Sequence, residues 1–153
     1  MPHIEVDKLL KYSCDAIYPF ICRMERYPEF MDNVVEVKIL ERDTCKTITS
    51  WKVFVDGIKV GWIEEDLFDE KNYKISYKQI EGDFTNFNGE WILEKTQEGT
   101  IVKLIIDVDL GISMLANFIN PILIKKISDN SMKMLESIEK ELNQKENEIK
   151  MTS

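Results

Sequence analysis

The chain has 153 residues, 44% of them hydrophobic, which is enough for one domain with a substantial core. With 20 Lys+Arg against 28 Asp+Glu the formal net charge is -8, so phosphate backbones and anionic membranes are repelled and no nucleic-acid partner is expected. Cys14, Cys22 and Cys45 lack any CxxC spacing and the single histidine is His3, so neither a disulfide framework nor a metal site is expected, and no cofactor.

The segment from His3 to Lys11 mixes Ile4, Val6, Leu9 and Leu10 with charges and has no helix cap, which predicts a first strand. Asp15 then opens a short helix carrying apolar residues at helical spacing through Met24, with Pro19 placed near its first turn. Pro28 forbids simple continuation and predicts the start of a second short helix in a new direction. The cysteines read as small apolar residues in a reducing cytosol, since none has an adjacent base.

From Val34 the period becomes two. Val35, Val37 and Ile39, then Thr47 to Val55, then Ile58 to Phe68 predict three long strands, with Asp56-Gly57 as a hairpin turn. Tyr73 to Gln79, Phe87 to Leu93 and Val102 to Leu110 add three more, separated by Glu81-Gly82-Asp83 and Glu98-Gly99. After Gly111 a helical pattern runs to about Lys145, interrupted at Asn120-Pro121, and the last residues, 146–153, are expected to form a frayed or disordered tail. Residues 1–145 then form one domain. Nothing at the N-terminus reads as a signal peptide and no apolar run spans a bilayer, so stable membrane insertion is not expected and a cytoplasmic location is.

The order is strand, two short helices, six strands, long helix. Together with Met24-Glu25-Arg26-Tyr27-Pro28-Glu29-Phe30 and the following Val35-Glu36-Val37-Lys38-Ile39-Leu40, it resembles the START-like (SRPBCC, helix-grip) superfamily, in its polyketide cyclase/dehydrase and coenzyme-Q-binding group. The resemblance implies an α+β helix-grip fold: a curved seven-stranded antiparallel sheet wrapped around the long C-terminal helix, with the two short helices between strands one and two. It does not fix an activity. Tetracenomycin-type cyclases carry a cavity arginine four residues after a tryptophan on the fourth strand, where this chain has Asp66 after Trp62. Coenzyme-Q-binding proteins continue with a Pro-Trp-Cys-like run, where this chain reads Met31-Asp32-Asn33-Val34.

Strand parity nominates the concave face of such a sheet. Trp51, Val53 and Val55, then Trp62, Glu64 and Asp66, then Tyr77 and Gln79, then Phe87 and Trp91 share it; Met114, Leu115, Phe118, Ile119 and Ile122 form the facing lid. In the other register of strand four, Gly61, Ile63 and Leu67 point inward and Trp62, Glu64 and Asp66 face solvent. Trp51, Val53, Trp62, Asp66, Gln79, Phe87, Trp91, Met114 and Phe118 are therefore candidate ligand contacts, and each also reads as ordinary core. Glu64, desolvated in an apolar wall, and Tyr77 are candidate acid–base groups.

Three functions fit these residues. The first is a carrier of a small apolar ligand: a lipid, quinone or aromatic polyketide. The second is an aromatase/cyclase closing and dehydrating a poly-β-ketone, with an acyl-carrier protein as its possible partner. The third is a ribosome-association type of interaction module, which looks similar across Tyr27-Pro28-Glu29-Phe30 but is disfavoured by the acidic charge.

Overall fold

The computed structural model describes residues 3–55, 57–109 and 120–152. Strand β1 (His3–Leu10) leads into helix α1 (Cys14–Cys22) and a 3-10 helix, Met24–Glu29. Six strands follow: β2 (Val34–Arg42), β3 (Lys46–Val55), β4 (Ile58–Asp69), β5 (Lys74–Gly82), β6 (Asn86–Lys95) and β7 (Thr100–Asp109). Helix α2 (Asn120–Thr152) closes the chain. All seven strands form one antiparallel sheet in the order β1-β7-β6-β5-β4-β3-β2. This is the helix-grip fold, with the first strand returning to pair with the last while the helices cross between the two sheet edges.

Local chemistry explains most boundaries. Ser13 caps α1, its hydroxyl accepting from Ala16 N at 3.1 Å, so the helix starts at Cys14 with Asp15 inside the favourable first turn. Pro19 therefore lies in the helix interior rather than near its start, at the cost of one backbone hydrogen bond. Pro28 sits near the end of the 3-10 helix and does not begin a new one. Tyr27, with no exposed surface, donates its hydroxyl to Ile21 O and ties that turn back onto α1. Gly57 takes φ +81° in the β3–β4 hairpin, the left-handed conformation that a tight turn of this kind requires.

Strand β4 settles in one register. Val60, Trp62, Glu64 and Asp66 are buried, while Leu67 is 47% exposed on the opposite face. The alternation exists because Trp62 pairs with Trp51, Glu64 with Thr49 and Asp66 with Thr47, all on the concave side.

Helix α2 buries Ile127, Ser131, Leu135, Ile138 and Leu142, one stripe at three-and-four spacing, against the sheet. Pro121 is the second residue of the described helix, an early position that proline tolerates. Ile122, expected in the lid, is 60% exposed in the first turn. The helix continues to Thr152, beyond the 146 at which fraying was expected, and Tyr12 donates to both Asn143 and Glu146 while Lys150 pairs with Glu146 at 3.2 Å. No described helix is long and apolar enough to cross a membrane.

Candidate functional site

Between the concave face and α2 lies a cavity of about 80 Å³, several times the roughly 10–15 Å³ that one water needs. Its walls are Trp51, Val53 and Val55 of β3, Trp62 and Glu64 of β4, Tyr77 of β5, Phe87 and Trp91 of β6, and Leu104 and Ile106 of β7. Phe84 enters from the β5–β6 loop, Asn33 from the segment before β2, and Ile127, Asn130, Ser131 and Met134 from α2. Asn130 Nδ2 donates to Phe54 O at 2.8 Å and latches the helix to β3.

The aromatic rings form a continuous wall. Trp51 and Trp62 stack with centroids 5.6 Å apart and planes within 7°, a consequence of their direct pairing across β3 and β4. Phe87 lies 4.8 Å from Trp62 and 4.8 Å from Phe84, and Tyr77 lies 5.5 Å from Phe87. All three tryptophans of the chain line the cavity.

Among the described residues the carboxyl in this wall is Glu64, only 3% exposed. Its Oε1 accepts from Trp62 Nε1 at 2.6 Å. Asp66, fully buried behind it, accepts at Oδ2 from Thr47 at 3.0 Å and from Thr49 at 2.6 Å; Trp51 Nε1 in turn donates to Thr49 Oγ1 at 2.8 Å. Burial, followed by direct interaction with the Asp66 carboxyl, pushes Glu64 well above the ordinary carboxylate range. Burial also raises Asp66, opposed by the proton Glu64 offers and by the two threonine hydroxyls. Glu64 and Asp66 are thus two adjacent buried carboxyls, both shifted upward, that titrate as a pair.

The other candidates divide. Tyr77 presents its ring to the cavity, but its hydroxyl donates to Ile105 O at 2.7 Å, and burial drives its ionisation far upward. Gly89 makes this possible, since a Cβ there would stand 2.6 Å from the Tyr77 hydroxyl and 1.9 Å from Ile105 O. Gln79 faces the same side yet spends its amide on Phe84 O at 2.8 Å and does not line the cavity; its Oε1 is buried with no hydrogen-bond partner. Asp66 likewise lies behind the wall. Met114 and Phe118, with the rest of the expected lid from Leu115 to Ile119, lie outside the described residues. Sequence reasoning did not assign Phe84, Leu104 or Ile106 to the cavity, although the alternation of β7 marked the last two as inward. Cys22 is half-buried, and burial pushes its thiol up to about 11, away from the thiolate form.

A curved sheet gripping a long helix around an aromatic cavity defines a START-like, helix-grip protein. The chain belongs to the polyketide cyclase/dehydrase and lipid-transport family, whose model matches residues 10–135. Among solved structures it is similar to TTHA0849 from Thermus thermophilus, at 23% identity and a TM-score of 0.86 over 91% of this chain and 95% of that one. It is similar to the Zhui aromatase/cyclase from Streptomyces sp. R1128 at 19% identity and a TM-score of 0.84, over 94% of each chain. A START superfamily protein from Mycobacterium smegmatis shares 16% identity with a TM-score of 0.78, over 93% of this chain and 97% of that one. These identities express a common fold. None of the curated proteins matches the chain at a significant level.

Proposed function

We propose that the protein binds a small, planar, hydrophobic molecule in the cavity between the sheet and α2. The observation that carries this reading is the aromatic wall, with Trp51, Trp62, Phe84, Phe87 and Trp91 turned onto one cavity whose carboxyl, among the described residues, is Glu64. Side chains that merely filled a core would close such a gap, because a void forfeits dispersion contacts along its whole lining. A lipid, a quinone or an aromatic polyketide would each suit these walls, and the family's lipid-transport and polyketide members agree with that range. An intracellular setting fits a carrier of this kind.

A second reading, an aromatase/cyclase, is favoured by one specific feature, the buried Glu64 carboxyl at the cavity wall. A buried acid whose pKa is raised well above the ordinary carboxylate range is suited to protonate an enolate or a leaving hydroxyl of a folded poly-β-ketone. Tyr77 is a weaker participant, since its proton is committed to Ile105 O. An acyl-carrier protein delivering the substrate would belong to this reading only.

Tryptophan fluorescence tests the binding reading, because every tryptophan lines the cavity. Titration with naphthoquinone, a neutral planar quencher, should give saturable quenching. Ser131→Phe, which puts a ring into the cavity from α2, should weaken it by about tenfold with an unchanged circular dichroism spectrum. Linear, non-saturating quenching that the substitution leaves untouched would remove the cavity from the account.

A further inference from the structure

The polar chemistry of the cavity selects the class of ligand, given that the cavity is a binding site. Glu64 and Asp66 bury two carboxyls away from water, and the groups that hydrogen-bond to them are neutral: the Trp62 indole N–H and the hydroxyls of Thr47 and Thr49. No lysine, arginine or histidine lines the cavity among the described residues, and the stretch 110–119 contains none in its sequence. Asp66 is fully buried, and its Oδ1 has no hydrogen-bond partner. A buried carboxyl pair with spare acceptor capacity and no counter-cation is electrostatically incomplete.

The walls point the same way. Indole and phenyl faces attract cations, and a cage of Trp and Phe is a favourable surround for an alkylammonium group. The net charge of -8 adds long-range attraction for a cation and repulsion of an anion. Glu64 lines the cavity and its Oε1 accepts from the Trp62 indole N–H, so a carboxyl with further acceptor capacity faces a ligand that brings a donor.

We propose that the cavity takes a small aromatic or hydrophobic amine in its ammonium form, with its ring among Trp51, Trp62 and Phe87 and its nitrogen donating to the Glu64 carboxyl, which Asp66 backs. The ammonium supplies the positive charge that no described side chain lining the cavity offers to these carboxyls. A fatty-acid carboxylate, by the same reasoning, is excluded from this site.

The test compares three probes that share a phenethyl body and differ in the polar end: phenethylamine, phenethyl alcohol and hydrocinnamate, each titrated at neutral pH by tryptophan fluorescence. The amine should bind at least about tenfold more tightly than the alcohol, and hydrocinnamate should not bind. Glu64→Gln should bring the amine-to-alcohol ratio close to one, whereas Glu141→Gln, on α2 away from the cavity, should leave it unchanged. Equal binding of alcohol and amine, or tighter binding of hydrocinnamate, would overturn the amine preference and leave the cavity reading standing. Failure of all three probes while naphthoquinone still binds would also overturn it. Failure of naphthoquinone as well would instead remove the cavity reading on which the proposal rests.

Discussion

At the scale of single residues, Glu64 ties stability to function. Its raised pKa means that the folded state holds the proton more tightly than the unfolded chain, whose glutamates titrate near 4.5. The stabilising contribution is complete below that value and is lost as pH rises toward the folded pKa, by at most about 1.4 kcal/mol per pH unit for one proton. The titratable groups facing it are Asp66, Tyr27 and Tyr77, and the tyrosines stay neutral throughout this window. The α2 residues on the cavity, Ile127, Asn130, Ser131 and Met134, do not titrate. Glu64→Gln keeps an acceptor for Trp62 and removes the titration. Relative to the unchanged protein, the variant should therefore gain stability between about pH 5 and about pH 8, read as a growing difference in urea midpoints. A constant difference across that range would mean that Glu64 is ionised in the fold. The sequence nominated this residue through the parity of Trp62, Glu64 and Asp66 but left the opposite register open, because Ile63 and Leu67 put apolar groups on the other face as well. What it lacked was the cross-strand partners, Thr49 and Thr47, which give the two carboxyls their place inside.

At the scale of elements, α2 holds the sheet closed. Leu135 and Ile138 have no exposed surface, and Leu135→Ala should cost about 2–5 kcal/mol in urea unfolding. Truncation after Lys145 removes the exposed stretch from Glu146 to Lys150 and with it the hydrogen bond from Tyr12 to Glu146, and should cost less than about 1 kcal/mol. The reverse ranking would place the grip of the helix in its last turns. The apolar stripe of α2 and the period-two strands were readable, since each buries one face and solvates the other. The helix end was not, because Gln144 to Glu148 contain no apolar residue and the exposed Ile149 extends no stripe, while Glu146 is held by its ion pair with Lys150 and the contact from Tyr12. Phe84 escaped for a related reason: it follows the Glu81-Gly82-Asp83 turn, and only the folded loop stacks it on Phe87.

At the scale of the whole molecule, the order of elements was sufficient for the helix-grip architecture. Two cues carried it, the seven strands split one and six around short helices, and the hairpin signal at Asp56-Gly57. The cavity was legible only as a face. Which inward residues line a gap and which, like Asp66 and Gln79, pack behind it depends on sheet curvature and on β7 bringing Leu104 and Ile106 to the same wall. Tyr77 illustrates the limit of pattern reading: its parity was right, but the fate of its hydroxyl rested on Gly89 opposite it on β6 and the Ile105 carbonyl beyond.

The most direct test of the central claim is native mass spectrometry, with organic extraction, of the protein purified from its own host. A defined small hydrophobic molecule should accompany it at up to one per chain, and Ser131→Phe should abolish that species. Protein that repeatedly carries no such molecule, or carries one that Ser131→Phe leaves in place, would contradict a ligand held between the sheet and α2.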